Sequence, residues 1–368
     1  MKIIHIFNKL KFSGAEVMYV DANQIFRESG CELSVVDTTQ ELGEYATFFE
    51  NAGYRVFLKP YPIKMTQRLR YCISFIKFLK HEGYDVIHIH SQRMMMAMTF
   101  CARLANVRSI YTVHNVFSAK NYLIYLYRYL SRWLAKHIFC CTFQTISNSV
   151  YDNEKYYYHN KTTKINNWYG SNRFYPAKDS EKEIARKELG ITNESLVLIS
   201  VGGCSPIKRH TELIKGLPSV IEKYPNTVYL HLGEGISLQE EQTLAEKLHV
   251  SEHILFCGNQ KNMRKYLIAS DIYVMTSCHE GSPLTTIEAM ACGIPTILYN
   301  VPGLKDFNND QECSLLINEN HTILSDSIIA LYENKEKQKE LIHKAKNLVE
   351  SQFDMNINAK KIFELYQS

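Results

Sequence analysis

The chain predicts an α/β protein made of two doubly wound parallel-sheet domains. Three observations carry that reading. At 368 residues the chain is longer than one hydrophobic core usually serves. Short apolar runs alternate with stretches of helical periodicity, and the alternation starts twice. Between the two runs lies "NNWYGSNRFYPAK" (166–178), polar, aromatic and turn-rich, with Pro176 near its end. It reads as a linker.

In the first half, "KIIHIF" (2–7) is a short apolar strand, and "KLKFSGAE" (9–16) is a glycine-bearing loop with a helix beginning near Ala15. "CELSVVDT" (31–38), "YRVFLK" (54–59), "YDVIHIHS" (84–91), "SIYTVHN" (109–115) and "FQTISNSV" (143–150) read as strands. "KMTQRLRYCISFIKFLK" (64–80) sets Met65, Leu69, Cys72, Ile73, Ile76 and Leu79 at helical spacing. In the second half "SLVLISVGG" (195–203), "TVYLHLGEG" (227–235), "HILFCG" (253–258) and "DIYVMTS" (271–277) are strands running into turns. Two such halves form a cleft, and ligands of open parallel sheets bind at the carboxyl ends of strands.

Composition narrows the function classes. With 45% hydrophobic and 22% charged residues the chain is not disordered. No apolar run reaches the ~18–20 residues of a spanning helix, and "MKIIHIFNKLKFSGAE" lacks a signal-peptide layout. A cytoplasmic location is expected. The ten cysteines (31, 72, 101, 140, 141, 204, 257, 278, 292 and 313) include no C-x-x-C pair. They read as buried free thiols rather than disulfides or zinc ligands. Charge is lopsided: residues 1–170 carry 21 Lys+Arg against 12 Asp+Glu, a net of +9, and residues 171–368 carry 21 against 26, a net of −5. The basic half suggests an anionic partner. No nucleic-acid motif appears.

The most informative stretch is "HEGSPLTTIEAMACGIP" (279–295). Ser282 is expected as N-cap with Pro283 at the first helical position, and Gly293 and Pro295 end the helix. Free N–H groups near Leu284, Thr285 and Thr286 then favour a phosphate. Glu288 lies too deep to cap and can chelate a vicinal diol such as ribose, while Gly281 permits close backbone approach. Two further glycine turns precede helices: "SVGGCSPIKRH" (200–210), with Lys208 as a phosphate point charge, and "FSGAE" (12–16).

Over nearly its whole length the chain resembles the retaining GT-B glycosyltransferases of family 4. The resemblance rests on "SGAE", "DVIHIHS", "TVHN", "TISNSV", "NWYGSNRFYP", "VGGCSPIK", "FCGNQKNMRKYLIASDIYVMTS", "EGSPLTTIEAMACGIP" and a final "FDMNINAKKIFELY". It implies a GT-B fold: an acceptor-binding Rossmann-like domain at 1–170, a nucleotide-sugar-binding one at 171–352, and a C-terminal helix at 353–368 returning to the first domain. It implies a UDP- or GDP-sugar donor, no cofactor, and a glycan or lipid-linked acceptor. By the same resemblance Glu288 holds the ribose hydroxyls, Glu280 holds hydroxyls of the donor sugar, Ser282 belongs to the donor-binding set, and Leu284, Thr285 and Gly14 face the diphosphate. Lys208 neutralises that diphosphate, Asn259 to Met263 bracket the base, and His114 hydrogen-bonds the sugar. The chain departs from the family at Ser13 (usually glycine), Gly203 (usually the phosphate arginine), Arg209 (usually glycine) and Pro302-Gly303 (usually Gly-Gly). Arg209 is a candidate to supply the charge missing at Gly203.

No Asp-x-Asp occurs, so metal-free transfer with retention is expected, with amides and Lys208 facing the leaving diphosphate. His5, His88, His90 and His231 read as packing or structural residues. Arg128, Arg132 and Lys136 share one face of "NYLIYLYRYLSRWLAKHI" (121–138). With 64–80, this helix is a candidate contact to an anionic membrane surface, against the alternative that the apolar stripes face the core. Competing functions are a catalytically silent nucleotide-sugar-binding subunit, favoured by Gly203, and a sugar-nucleotide epimerase.

Overall fold

A computed structural model describes all 368 residues. They divide into two compact units, Met1–Gly170 with Met355–Ser368, and Ser171–Asp354.

The first unit is a seven-stranded sheet: β1 (Lys2–Phe7), β2 (Glu32–Asp37), β3 (Arg55–Leu58), β4 (Val86–Ile89), β5 (Arg108–Val113), β6 (Thr142–Thr145) and β7 (Thr163–Lys164). All pairs are parallel, in the order β3-β2-β1-β4-β5-β6-β7. Ile3, Ile4, Ile6, Val86, Ile87 and Ile89 are fully buried, as both faces of a parallel sheet require. The "TISNSV" segment leaves the sheet after Thr145, where Ser147 caps a short helix, Asn148–Asp152. The C-terminal helix Met355–Gln367 belongs to this unit. Tyr366 hydroxyl meets His88 Nδ1 at 2.7 Å, and its ring lies 5.9 Å from Phe26.

Helices Met65–Glu82, Met95–Ala105 and Tyr122–His137 share a core with β1, β4 and β5. The polarity of the last of these helices inverts the expectation. In the 122–137 helix the basic face turns inward. Arg132 is 1% exposed and forms a forked pair with Glu154, Nε to Oε2 at 2.8 Å and Nη2 to Oε1 at 2.7 Å. Its guanidinium also lies 4.0 Å from the Tyr158 ring centre. Asn160 Nδ2 donates to Glu154 at 2.8 Å. Arg128 donates to the Ser118 carbonyl and Lys136 to the Lys161 carbonyl. The outward face is apolar: Tyr122, Leu123, Tyr127, Leu130, Trp133, Leu134 and Ile138 are exposed. On the 65–82 helix, Cys72, Phe75 and Leu79 are buried, whereas Met65, Leu69 and Ile73 are exposed. The stripes therefore do not simply face the core. No helix is long and apolar enough to cross a membrane.

The second unit has six parallel strands: β8 (Val197–Val201), β9 (Val228–Leu232), β10 (Ile254–Gly258), β11 (Ile272–Met275), β12 (Thr296–Tyr299) and β13 (Leu315–Ile317). Their order is β10-β9-β8-β11-β12-β13. β12 and β13 are not legible in the sequence, because "TILY" and "LLI" are too short to show a period. At the amino ends Asp271 joins three elements: it accepts from Arg186 Nη2 at 2.8 Å, Lys182 Nζ at 2.7 Å and Val197 N at 2.8 Å.

Removing one partner of a buried ion pair strands the other charge. Arg132→Ala is expected to destabilise the protein by about 3–5 kcal/mol. Arg132→Met with Glu154→Leu should cost far less. Urea denaturation checks both, and equal losses for the single and double variants would exclude the pair as the cause.

Candidate active site

The strand order of the second unit reverses between β8 and β11, and ligands of such sheets bind beyond the carboxyl ends at that switch point. The loops leaving these strands are stitched together. Cys278 N–H donates to the Ile207 carbonyl at 2.9 Å. Thr276 Oγ1 donates to the carbonyls of Lys208 and Arg209 at 3.1 and 2.9 Å. A Cβ at Gly202 would stand 3.0 Å from Lys208 Cε, so glycine leaves room for the lysine stem to cross the turn. Lys208 Nζ then reaches Glu280 Oε1 at 2.7 Å. Ser277 Oγ donates to the same oxygen at 2.7 Å. Gly303, at φ +85°, supports this loop from behind, since any Cβ there would collide with the Glu280 carbonyl. Of the Pro302-Gly303 pair, the retained glycine is the one this contact requires.

The helix within 279–295 starts one residue later than expected, at Leu284, and runs to Ala291. Pro283 takes the cap position in an extended conformation, with no side-chain cap. Its carbonyl accepts from Thr286 N and Ile287 N at 3.2 and 3.4 Å. Thr286 N–H is therefore not a free donor, and the open amides are those of Leu284 and Thr285. Tyr273 hydroxyl holds the Thr285 and Thr286 hydroxyls at 2.9 and 3.3 Å. Glu288 lies one turn in and is 8% exposed, and Gly281 and Ser282 are buried in the loop before the helix. Gly203 continues the glycine turn, and a Cβ there would lie 3.4 Å from the Glu234 carbonyl oxygen. Asn259 Nδ2 donates to Glu234 Oε2 at 3.2 Å, and Met263 opens the helix Met263–Ala269.

Arg209 does not fill the place left by Gly203. It sits in the left-handed region at φ +51°, where glycine is at ease. Its guanidinium pairs with Glu319 and with Glu212, the latter at 3.8 Å. It also lies 5.8 Å from the Tyr299 ring centre, at the end of β12. Two carboxylates satisfy its charge on the β12–β13 side.

Gly14 and His114 belong to the first unit. Gly14 opens the helix Gly14–Asp21 behind Ser13, whose hydroxyl bonds Glu16 and caps no amide. His114 follows β5, and its Nε2 meets His90 Nδ1 at 3.1 Å. His90 Nε2 meets His5 Nδ1 at 3.0 Å. Burial holds His114 down to about 4 and keeps His5, His88 and His90 well below the usual histidine range. His114 is therefore a neutral hydrogen-bonding group at pH 7. Sequence reasoning missed Thr276, Ser277 and Tyr273. Ser277, three residues before Glu280, was open to notice; nothing in the sequence marks Tyr273.

Two family profiles match, Glycosyltransferase Family 4 over residues 12–165 and Glycosyl transferases group 1 over residues 181–348. The chain belongs to glycosyltransferase family 4. Its fold is GT-B. Among its relatives is the UDP-Gal:alpha-D-GlcNAc-diphosphoundecaprenol alpha-1,3-galactosyltransferase of Escherichia coli, 26% identical over 82% of this chain and 80% of that one. The putative glycosyltransferase EpsD of Bacillus subtilis is 27% identical over 64% of this chain and 63% of that one. Among solved structures, Anabaena HepE in complex with UDP and glucose superposes with a TM-score of 0.86 at 19% identity, covering 100% of this chain and 99% of HepE. WaaG, a glycosyltransferase involved in lipopolysaccharide biosynthesis, gives 0.76 at 16% identity, covering 100% and 99%.

The histidine cluster predicts an acid-labile family-4 enzyme. His5, His88 and His90 are neutral when folded, with values lowered by burial, while the unfolded chain takes up their protons below about pH 6.5. The unfolded state binds more protons in that range, so stability falls as pH falls, by about 1.4 kcal/mol per pH unit for each histidine. Thermal unfolding from pH 7.5 to 5 checks this, and a flat profile would contradict it.

Proposed function

We propose that this glycosyltransferase moves a hexosyl or N-acetylhexosaminyl group from UDP- or GDP-sugar to a glycan or lipid-linked acceptor, with retention, in cell-surface polysaccharide synthesis. One observation carries the donor reading: the open Leu284 and Thr285 amides, the Lys208–Glu280 pair and Glu288 all stand at the switch-point ends of one sheet. Such a set offers N–H donors and one cation to a diphosphate and carboxylates to hydroxyls. The acceptor class is supported by the galactosyltransferase relative, whose name states a lipid diphosphate substrate, and by the putative teichuronic acid biosynthesis glycosyltransferase TuaC of Bacillus subtilis.

In the proposed reaction the bond between the anomeric carbon and the β-phosphate oxygen breaks, leaving the diphosphate on Lys208 and the two amides. The acceptor oxygen bonds the same face of the anomeric carbon, and its proton passes to a diphosphate oxygen. No step calls on a metal ion. Lys208 begins paired to Glu280, so an incoming diphosphate competes for a charge already satisfied. Glu280→Gln should therefore leave UDP affinity unchanged or raised while sugar transfer falls at least about 100-fold. Lys208→Ala and Glu288→Ala should each weaken UDP itself by about 10- to 100-fold, the scale of one charge-assisted bond. Calorimetry with UDP, turnover of UDP- and GDP-sugars and the anomeric configuration of the product by NMR test this. An inverted product would exclude retention.

A second reading, a nucleotide-sugar-binding subunit without turnover, is favoured by Gly203 together with the diversion of Arg209 to Glu319. UDP binding without transfer or hydrolysis of any donor would select it.

The proposed acceptor side works at an anionic membrane surface. The outward apolar faces of the 65–82 and 122–137 helices support this, in a half of net charge +9. Flotation with phosphatidylglycerol vesicles should carry the protein, and Leu123→Glu with Tyr127→Glu should abolish it. Equal binding to neutral vesicles, or none, would reject the idea.

A further inference from the structure

Four side chains of metal-ligand type, none of them assigned to the donor, converge inside the second unit. Cys204 follows the Gly202-Gly203 turn, and His210 is the first residue of the helix His210–Lys223. His231 lies on β9, and Glu241 lies on the helix Leu238–Lys247. None is more than 1% exposed. The Cys204 sulfur, a nitrogen of each histidine and a Glu241 oxygen all lie within 4.8 Å of one another.

Their hydrogen bonding is incomplete. His231 Nε2 meets Glu241 Oε2 at 2.9 Å. His210 Nδ1 stands 3.5 Å from Glu241 Oε1, and neither nitrogen of its ring has a hydrogen-bond partner. A buried imidazole left in that state is unfavourable, and a buried carboxylate calls for a cation. The short contacts of the Glu241 carboxylate are with these two histidines, and it forms no salt bridge with a Lys or Arg.

We propose that Cys204, His210, His231 and Glu241 bind one zinc ion. A thiolate, two imidazoles and a carboxylate form a donor set suited to Zn²⁺, with metal–ligand bonds of about 2.0–2.3 Å. Thiolate and carboxylate balance the +2 charge, so the filled centre is neutral in a dry core. Four protein ligands leave no open coordination position, which makes the site structural rather than catalytic. On binding, the Cys204 S–H bond breaks and its proton goes to solvent, while the histidines bind as neutral rings. Cys204 and His210 bracket Lys208 in sequence, so the ion ties down both ends of the loop that presents this lysine. Zinc here takes no part in sugar transfer, and the proposal stands whether or not the donor reading holds.

The test uses the full chain. Elemental analysis of the purified protein should find one zinc per chain. After chelation, titration with Co²⁺ should produce a sulfur-to-cobalt charge-transfer band and tetrahedral d–d bands that saturate at one equivalent. Cys204→Ser should lose the charge-transfer band. A variant with Cys204→Leu, His210→Leu, His231→Ile and Glu241→Leu keeps the site filled by apolar groups and should fold without binding metal. Zn²⁺ should raise the melting temperature of the chelated wild type and leave that of the apolar variant unchanged. Absence of metal in the isolated protein with no Co²⁺ uptake by the chelated wild type would overturn the proposal. So would equal uptake by wild type and apolar variant.

Discussion

A parallel strand covered on both faces can offer side chains to a ligand only beyond its last residue, and this constraint organises the second unit. β8 and β11 spend their lengths on Leu198, Ile199, Ile272 and Val274, all essentially inaccessible. The polar loops therefore begin just past the strands, at Gly202 and Thr276. The loops leaving these two strands then bond to each other through Thr276 and Cys278. Lys208 and Glu280 meet because the strands that launch them are neighbours in the sheet, although 72 residues separate them in the chain.

The charges in this unit are mostly paired. Lys208 has Glu280, Arg209 has Glu319 and Glu212, and Asp271 has Arg186 and Lys182. A lysine held by one carboxylate at 2.7 Å is positioned without being buried alone. In the proposed reaction an entering diphosphate would meet it in place, at the cost of displacing or sharing that carboxylate. The departure at Gly203 therefore weighs more than its size suggests, because the nearest arginine in sequence is committed elsewhere.

The first unit shows how one buried acid can reverse the reading of a helix. Glu154, on the segment after β6, draws Arg132 inward and receives Asn160 as well. Once the basic stripe is spent on the interior, the aromatic and aliphatic stripe has only the outside left to occupy. The 3.6-residue period separates the two faces of a helix but cannot say which one a buried partner will claim. An exposed apolar stripe of this length is itself unusual on a protein surface that meets only water.

The residues of this chain were enough to read the two α/β halves, the turn-rich junction, the strand–turn–helix form of 279–295 and the family. Each of these is written in local pattern: strand alternation, glycine and proline punctuation, and the spacing of Glu280 and Glu288. What only the tertiary structure decided is which distant residues meet. It set the salt bridge from Lys208 to Glu280, the diversion of Arg209, and the start of the helix at Leu284 behind Pro283. It turned Arg132 inward and gathered Cys204, His210, His231 and Glu241, whose uneven spacings carry no ligand signature. The reason is physical: propensity and period act over a few residues, whereas charge pairing and metal-type clustering depend on distances that exist only once the sheet order is in place.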